Sequence, residues 1–257
     1  MIFKSKKFSS GKNISHGFCS RKNGNSNGIY NSLNCGLGSK DLKKNVYKNL
    51  NYVKKKIGSK YLCLVSQKHS NKIIWLKKFS QIQKKIRIGD ADGIFTNLNN
   101  VAIGILTADC APILFVDQNN NYICCVHAGW KGAFSNIIQK AVALFRKNKI
   151  LPKNIRVCIG PCISQDSYEV KADFYNKFIL SNTNFKKCFL FKNNKIYFNL
   201  RYFIKLKLVN AKISMSNIFD INKDTFVNKS LFYSYRRSLL NGEKDYGRNL
   251  SLISKYH

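Results

Sequence analysis

Residues 90–130 are the most apolar and least lysine-rich part of the chain, and they constrain its fold more than any other stretch. Three runs inside them read as strands with buried faces: 101–106, 113–116 and 122–126, the last two joined by a turn at Asn119-Asn120-Asn121. Residues 132–147 follow with helical spacing, placing Phe134, Ile137, Ile138, Ala141, Leu144 and Phe145 on an inner side. Residues 155–159 read as another strand, ended by Gly160-Pro161. Upstream, Asp41 is the expected N-cap of a helix over 41–57 that Gly58 stops, 61–65 is a short strand, and 72–76 is its continuation or partner. Downstream, 172–180 and 202–210 read as helices, 195–199 as a strand, and 231–235 as a last strand leading into Arg236-Arg237. Residues 16–38, rich in Gly, Asn and Ser, read as a long ordered loop or a series of turns. Neither a repeat nor a linker divides these elements, so the expectation is a single α+β domain over 1–257.

The formal net charge of +33 suggests nucleic-acid binding at first sight. Its distribution argues otherwise. The lysines are spread over the whole length without a concentrated arm, and arginine, the better residue for bidentate recognition, occurs at only eight positions. No specific nucleic acid is therefore expected as a partner, although the charge favours encounter with small anions. No stretch approaches the roughly 20 apolar residues of a membrane span, so no membrane is expected either. Nine cysteines cannot all pair internally. Several lie in apolar runs (Cys63, Cys124, Cys125 and Cys158), where reduced thiols behave as small hydrophobes. With no apolar h-region near Met1, this predicts a reducing, cytoplasmic setting.

Three short stretches carry the residue types of chemistry: Ser66-Gln67-Lys68-His69, Thr107-Ala108-Asp109-Cys110-Ala111-Pro112, and His127-Ala128-Gly129-Trp130-Lys131-Gly132. Each histidine follows an apolar strand and Cys110 lies between two, and strand ends next to loops are where sites are assembled. A His/Cys/His set holds zinc through three ligands and leaves a fourth position open, the layout of a catalytic site. The same residues would serve a thiolate nucleophile at Cys110 with His69 or His127 as its base. Residues 129–132 precede a helix and suit either an anion, with Lys131 adding charge, or an ordinary strand-to-helix turn. Asp92, in Asp90-Ala91-Asp92-Gly93, would orient a ligand histidine, contact sugar hydroxyls or make an Asx-turn. Asp109 needs a partner in so apolar a run. The Arg236-Arg237 pair suits phosphate or solvent equally.

Together with His16-Gly17-Phe18-Cys19-Ser20-Arg21, Ser32-Leu33-Asn34, Gly160-Pro161-Cys162-Ile163, Tyr168-Glu169-Val170, Ser234-Tyr235-Arg236-Arg237 and Gly247-Arg248, these motifs run nearly end to end. In them the chain resembles the YfiH-like multicopper polyphenol oxidoreductase (laccase-domain) family, whose members are understood as zinc-containing purine nucleoside phosphorylases. The resemblance implies mixed β-sheets with flanking helices, a fold shared with cytotoxic-factor-like cysteine hydrolases. It implies His69, Cys110 and His127 as catalytic metal ligands, with zinc as the metal and copper as the alternative. It also implies purine nucleosides and phosphate as substrates, and adenosine deamination as a side activity. Arg21, Asn34, Asp92, Lys131, Arg236 and Arg237 are expected at the substrate. The rival readings are a metal-independent cysteine hydrolase or deamidase using Cys110 and a copper-dependent polyphenol oxidase. The chain departs from the family pattern at Lys131, where arginine is usual, at an Asn in the glycine-rich element after Arg21, and at Asp224-Thr225, where Cys-Thr is usual.

Overall fold

The computed structural model describes residues 1–9, 13–82 and 85–256. The first half runs β1 (Ile2–Phe3), β2 (Ile14–Cys19), α1 (Lys43–Ile57), β3 (Tyr61–Ser66), β4 (Ile73–Leu76), β5 (Arg87–Asp90), β6 (Gly93–Thr96), β7 (Val101–Thr107), β8 (Ala111–Asp117) and β9 (Ile123–Ala128). The second runs α2 (Trp130–Phe134), α3 (Ile137–Lys147), β10 (Ile155–Ile159), β11 (Glu169–Val170), α4 (Ala172–Ser181), β12 (Phe189–Lys192), β13 (Lys195–Phe198), α5 (Leu200–Asn210), β14 (Ile218–Asp220), α6 (Tyr235–Leu240) and β15 (Asn249–Lys255).

Two six-stranded sheets pack face to face, in the orders β1-β2-β15-β7-β3-β5 and β14-β10-β8-β9-β6-β4; β11, β13 and β12 form a small third sheet. Side chains alternate across a strand, so each strand of a covered sheet feeds two cores. In β7, Val101, Ile103 and Ile105 point into the space between the sheets, where Leu114 and Val116 of β8 meet them. Ala102 and Leu106 face the opposite way, onto Val46, Leu50, Val53 and Ile57 of α1. Ile113 and Phe115 of β8 face Ile137, Ile138, Ala141 and Phe145 of α3 and Phe203 of α5. The order is helix, sheet, sheet, helices. Because β7, β8 and β9 are covered on both faces, their sequences read as continuous apolar runs without polar alternation. The result is one domain of mixed sheets with flanking helices, and neither sheet closes into a barrel. No helix among the described residues is long and apolar enough to cross a membrane.

Five expectations need correction. The strand over 73–76, β4, is neither the continuation nor the partner of β3: it pairs with β6 at the edge of the other sheet, while β3 lies between β7 and β5. α1 begins at Lys43, and Asp41 does not cap it; its carboxylate accepts from Leu42 N and Asn34 Nδ2, while Gly58 ends the helix in the left-handed region at φ 83°. The helix over 132–147 is two helices, parted at Asn136 with φ 68°, a conformation asparagine tolerates, and its side-chain oxygen accepts from Lys207 Nζ. Residues 231–235 are not a strand: the Asn249 amide brackets the Tyr233 backbone, accepting from its N and donating to its O, and so replaces a ladder. The loop expected over 16–38 gives up its start to β2, which pairs with β15.

Candidate active site

The strand ends that meet at one edge of the two sheets bring the three motifs together. His69 lies just past β3 of the first sheet. β7 ends in the first sheet and β8 begins in the second, so Cys110 sits on the short crossing between them. His127 is the penultimate residue of β9, in the second sheet. Their ligand atoms all lie within 4.8 Å of one another, with Cys110 Sγ 4.0 Å from His69 Nε2. Bond lengths around tetrahedral zinc put ligand atoms about 3.3–3.6 Å apart, so a small inward rotation closes this set on an ion. Two imidazoles and a thiolate are also a donor set that suits zinc.

Asp92 organises the site from below. It is fully buried, and its Oδ1 accepts from His127 Nδ1 at 2.8 Å and from His69 N at 3.0 Å. Its Oδ2 accepts from Lys68 N, Ser70 N and Ser70 Oγ. This ring of donors holds His69 at φ 56°, which an unconstrained histidine avoids, and leaves His127 Nε2 as the free ligand atom. Gln67 fixes the height of the same loop, its amide donating to Leu106 O and accepting from Leu106 N. On the other side, Asp109 at φ 81° ties the Cys110 crossing to later segments. It accepts from Thr225 Oγ1, Ser234 Oγ and the Arg236 backbone N.

These contacts set the electrostatics. Burial works against a thiolate, yet His127 and His69 hold the Cys110 thiol down to about 7. Burial also opposes charge on His127, but Cys110 and Asp92 raise it to about 9. Burial would raise Asp92, but hydrogen bonds from His127 and Ser70 hold it at about 2. Burial pushes the other eight cysteine thiols upward, and all nine are free. Cys110 is therefore the one thiol poised to ionise near neutrality.

Two chambers meet at the triad and share His69, Ala108, Cys110 and Tyr246. The larger, about 630 Å³, has aromatic and aliphatic walls from Trp130, Tyr168, Tyr235, Ile163 and Leu200, with Arg236 over the Tyr168 ring. The smaller, about 370 Å³, is polar and includes Lys68, Arg87, Thr107 and Arg248.

Residues 15–255 match the family described as multi-copper polyphenol oxidoreductase laccase. The chain belongs to this family. Among curated relatives of this laccase-family chain, a purine nucleoside phosphorylase of Rickettsia prowazekii is 32% identical over 216 residues, covering 83% of this chain and 85% of that protein. One from Haemophilus influenzae is 29% identical over 246 residues, covering 94% of each. The solved YfiH structure from Bacillus licheniformis superposes with a TM-score of 0.85 at 27% identity, covering 94% of this chain and 92% of that one. A Neisseria meningitidis protein superposes at 0.84 with 26% identity over 96% of each chain.

The six residues expected at the substrate divide by place. Lys131 and Arg236 line the larger chamber of this laccase-family fold. Asp92 is buried beneath the triad, so of its expected roles its contacts match the orienting of a histidine. Asn34 is fully buried and bonded to Gly36 N, Arg248 N, Ser39 and Asp41. The Arg21 guanidinium donates to the carbonyls of Asn31, Lys229 and Ile29, and that of Arg237 to those of Thr225, Phe226 and Phe232. These last three residues tie loops together away from the chamber walls. The sequence reading did not single out Arg87 or Tyr246. The one signal for Arg87 was an arginine in a chain that otherwise uses lysine.

Proposed function

We propose that this chain is a zinc-dependent purine nucleoside phosphorylase working in a reducing, cytoplasmic setting. It converts adenosine, inosine, guanosine or methylthioadenosine and phosphate to the free base and a ribose 1-phosphate, with adenosine deamination as a side reaction. The observation that carries the reading is a compact His69/Cys110/His127 set at the mouth of an aromatic chamber, in a chain whose relatives bear the phosphorylase name. A zinc ion held by the triad would supply Lewis acidity at an open coordination position.

The chain's own residues do the rest. Trp130, Tyr168, Tyr235 and Tyr246 offer flat faces to a purine, and stacking on aromatic rings tolerates different bases. With the base in that chamber, the ribose lies beside the triad. A phosphate oxygen bonds to the ribose C1′ as the bond from C1′ to the purine nitrogen breaks, and the bonding pair leaves on the purine. Asp92 keeps His127 in one tautomer and His69 in one backbone conformation, so the site is organised before substrate arrives. The free state of all nine thiols suits a reducing compartment.

A second reading has its own support: Cys110, His127 and Asp92 also line up as nucleophile, base and orienting acid, with the thiol already pulled down to about 7. A multicopper oxidase is less well supported, because only one group of three metal-binding side chains occurs among the described residues.

The test is chromatographic analysis of adenosine incubated with zinc-loaded and chelator-stripped protein, with and without phosphate. Adenine formed only when zinc and phosphate are both present is the expected result, and His127→Ala should lose zinc and turnover together. Inosine formed without phosphate would make the deaminase the main activity. No product from zinc-loaded protein would refute phosphorolysis. Inactivation by a thiol reagent that zinc does not block would then favour the cysteine nucleophile.

A further inference from the structure

Arg87 opens β5 half-buried in the wall of the smaller chamber, and its Nε is buried without a hydrogen-bond partner. None of the ion pairs among the described residues includes it. A partly buried guanidinium without an acid partner is disfavoured by lost hydration, and an anionic ligand can offset that loss. Arg248 stands beside it, stacked 4.3 Å over Tyr246, donating to Tyr246 O and reaching Asp245 only at 3.4 Å. Asp245 is itself occupied by Tyr30 OH and Lys40 N. Lys68 adds a third cation, 3.8 Å from Asp90. No aspartate or glutamate lines the chamber. Lys68 and Arg248 thus have carboxylates outside the wall, whereas Arg87 has no ion pair among the described residues, and its positive charge faces the chamber that opens onto His69, Cys110 and His127.

We propose that this chamber is the phosphate subsite, with Arg87 as the principal anion-binding residue and Arg248 as the second. The proposal rests on the phosphorolysis reading and adds a direction to it. The purine occupies the aromatic chamber, the phosphate enters from the basic one, and C1′ lies where they meet. Phosphate then attacks the face of C1′ opposite the departing purine, so a β-nucleoside gives an α-sugar phosphate. The strand-to-helix turn at 129–132 is the less suitable place. A Cβ at Gly129 would lie 2.7 Å from Cys110 Sγ, and one at Gly132 3.2 Å from Ser70 O, so both glycines serve close packing. The helix that follows, α2, has only five residues.

The test combines equilibrium dialysis of radiolabelled inorganic phosphate with steady-state kinetics on zinc-loaded protein. Arg87→Met should weaken phosphate binding and raise the phosphate KM about 10- to 100-fold, the usual worth of hydrogen bonds to a charged group, while the nucleoside KM and zinc content stay near wild type. Arg87→Lys, which keeps the charge and the fold, should fall between. Wild-type phosphate affinity in both variants would overturn the proposal, as would a loss on Lys131→Met in place of Arg87→Met. Phosphate bound by wild type and lost in Arg87→Met, with no phosphate-dependent cleavage by either, would uphold the anion site and refute phosphorolysis. Cleavage with an unchanged phosphate KM in Arg87→Met would do the reverse.

Discussion

Cys110, His127 and Asp92 set one another's protonation at the candidate centre. Cys110 and then Asp92 raise His127 to about 9, His127 and His69 lower Cys110 to about 7, and Asp92 is held near 2 by His127 and Ser70. Metal ligands bind without their protons, so uptake must displace whatever Cys110 and His127 carry. Between pH about 7 and about 9 Cys110 is a thiolate and His127 an imidazolium, and one proton leaves per ion from these two groups. Below about 7 two protons leave. Zinc affinity contributed by the pair should therefore rise about a hundredfold per pH unit below 7 and about tenfold per unit from 7 to 9. Competition with a chelating dye over that range measures the slope, and a flat profile between 7 and 9 contradicts the coupling. The triad was legible in the sequence because polar residues at the ends of apolar strands stand out. The choice between roles for Asp92 was not, because it depends on the ring of donors that Lys68, His69 and Ser70 form only when folded. Arg87 was hidden for a different reason: its missing partner is a property of the surrounding space.

At the scale of elements, the turn between β9 and α2 shows how tightly backbone and centre are fitted. Gly129 has an ordinary φ of −69°, so its lack of a side chain is a matter of room. A methyl group there would press on Cys110 Sγ at 2.7 Å and touch His69 Cδ2 at 3.5 Å. Gly129→Ala should push the thiol off its position. The expected outcome is zinc affinity reduced about tenfold or more, with a stability loss of about 1–3 kcal/mol from overpacking. Metal content and a thermal melt read the two effects separately, and wild-type zinc affinity would show that the turn yields. The strands of 90–130 could be found from sequence because both their faces are apolar. The end of α1 was legible from Gly58, but its start was not, since Asp41 is not its cap. β15 carried the alternation of a strand in Leu250, Ser251 and Leu252, yet nothing local tells that its partners are β2 and β7. The run at 231–235 looked like a strand because it is rich in aromatics, and Phe232 and Tyr233 are indeed buried, but the run is a loop pinned by Asn249.

For the molecule as a whole, the interior is settled by four layers and the exterior by charge. The +33 balance is carried mainly by lysines spread along the whole chain, with 12 acids to offset 45 bases. Such a surface repels itself, and salt relieves the repulsion as the Debye length falls from about 30 Å at 0.01 M to about 8 Å at 0.15 M. The melting temperature should accordingly rise with sodium chloride over that interval. A gain of about 1 kcal/mol corresponds to about 2–4 °C for a domain of this size. A scanning calorimetry series with unchanged or falling midpoints would mean that local pairs such as Lys195 with Glu169 already balance the field. The second sheet can assemble from neighbours in sequence, since β8 and β9 form a hairpin and β10 soon joins them. The first sheet is built differently. β15 fills the gap between β2 and β7, and Asn249 reaches back to Thr107, 142 residues earlier. During synthesis, the nascent chain therefore carries two bare strand edges until nearly all of these residues have left the ribosome. Such edges invite wrong partners. Covering those edges until β15 emerges is then a task for chaperones, separate from the stability of the finished domain.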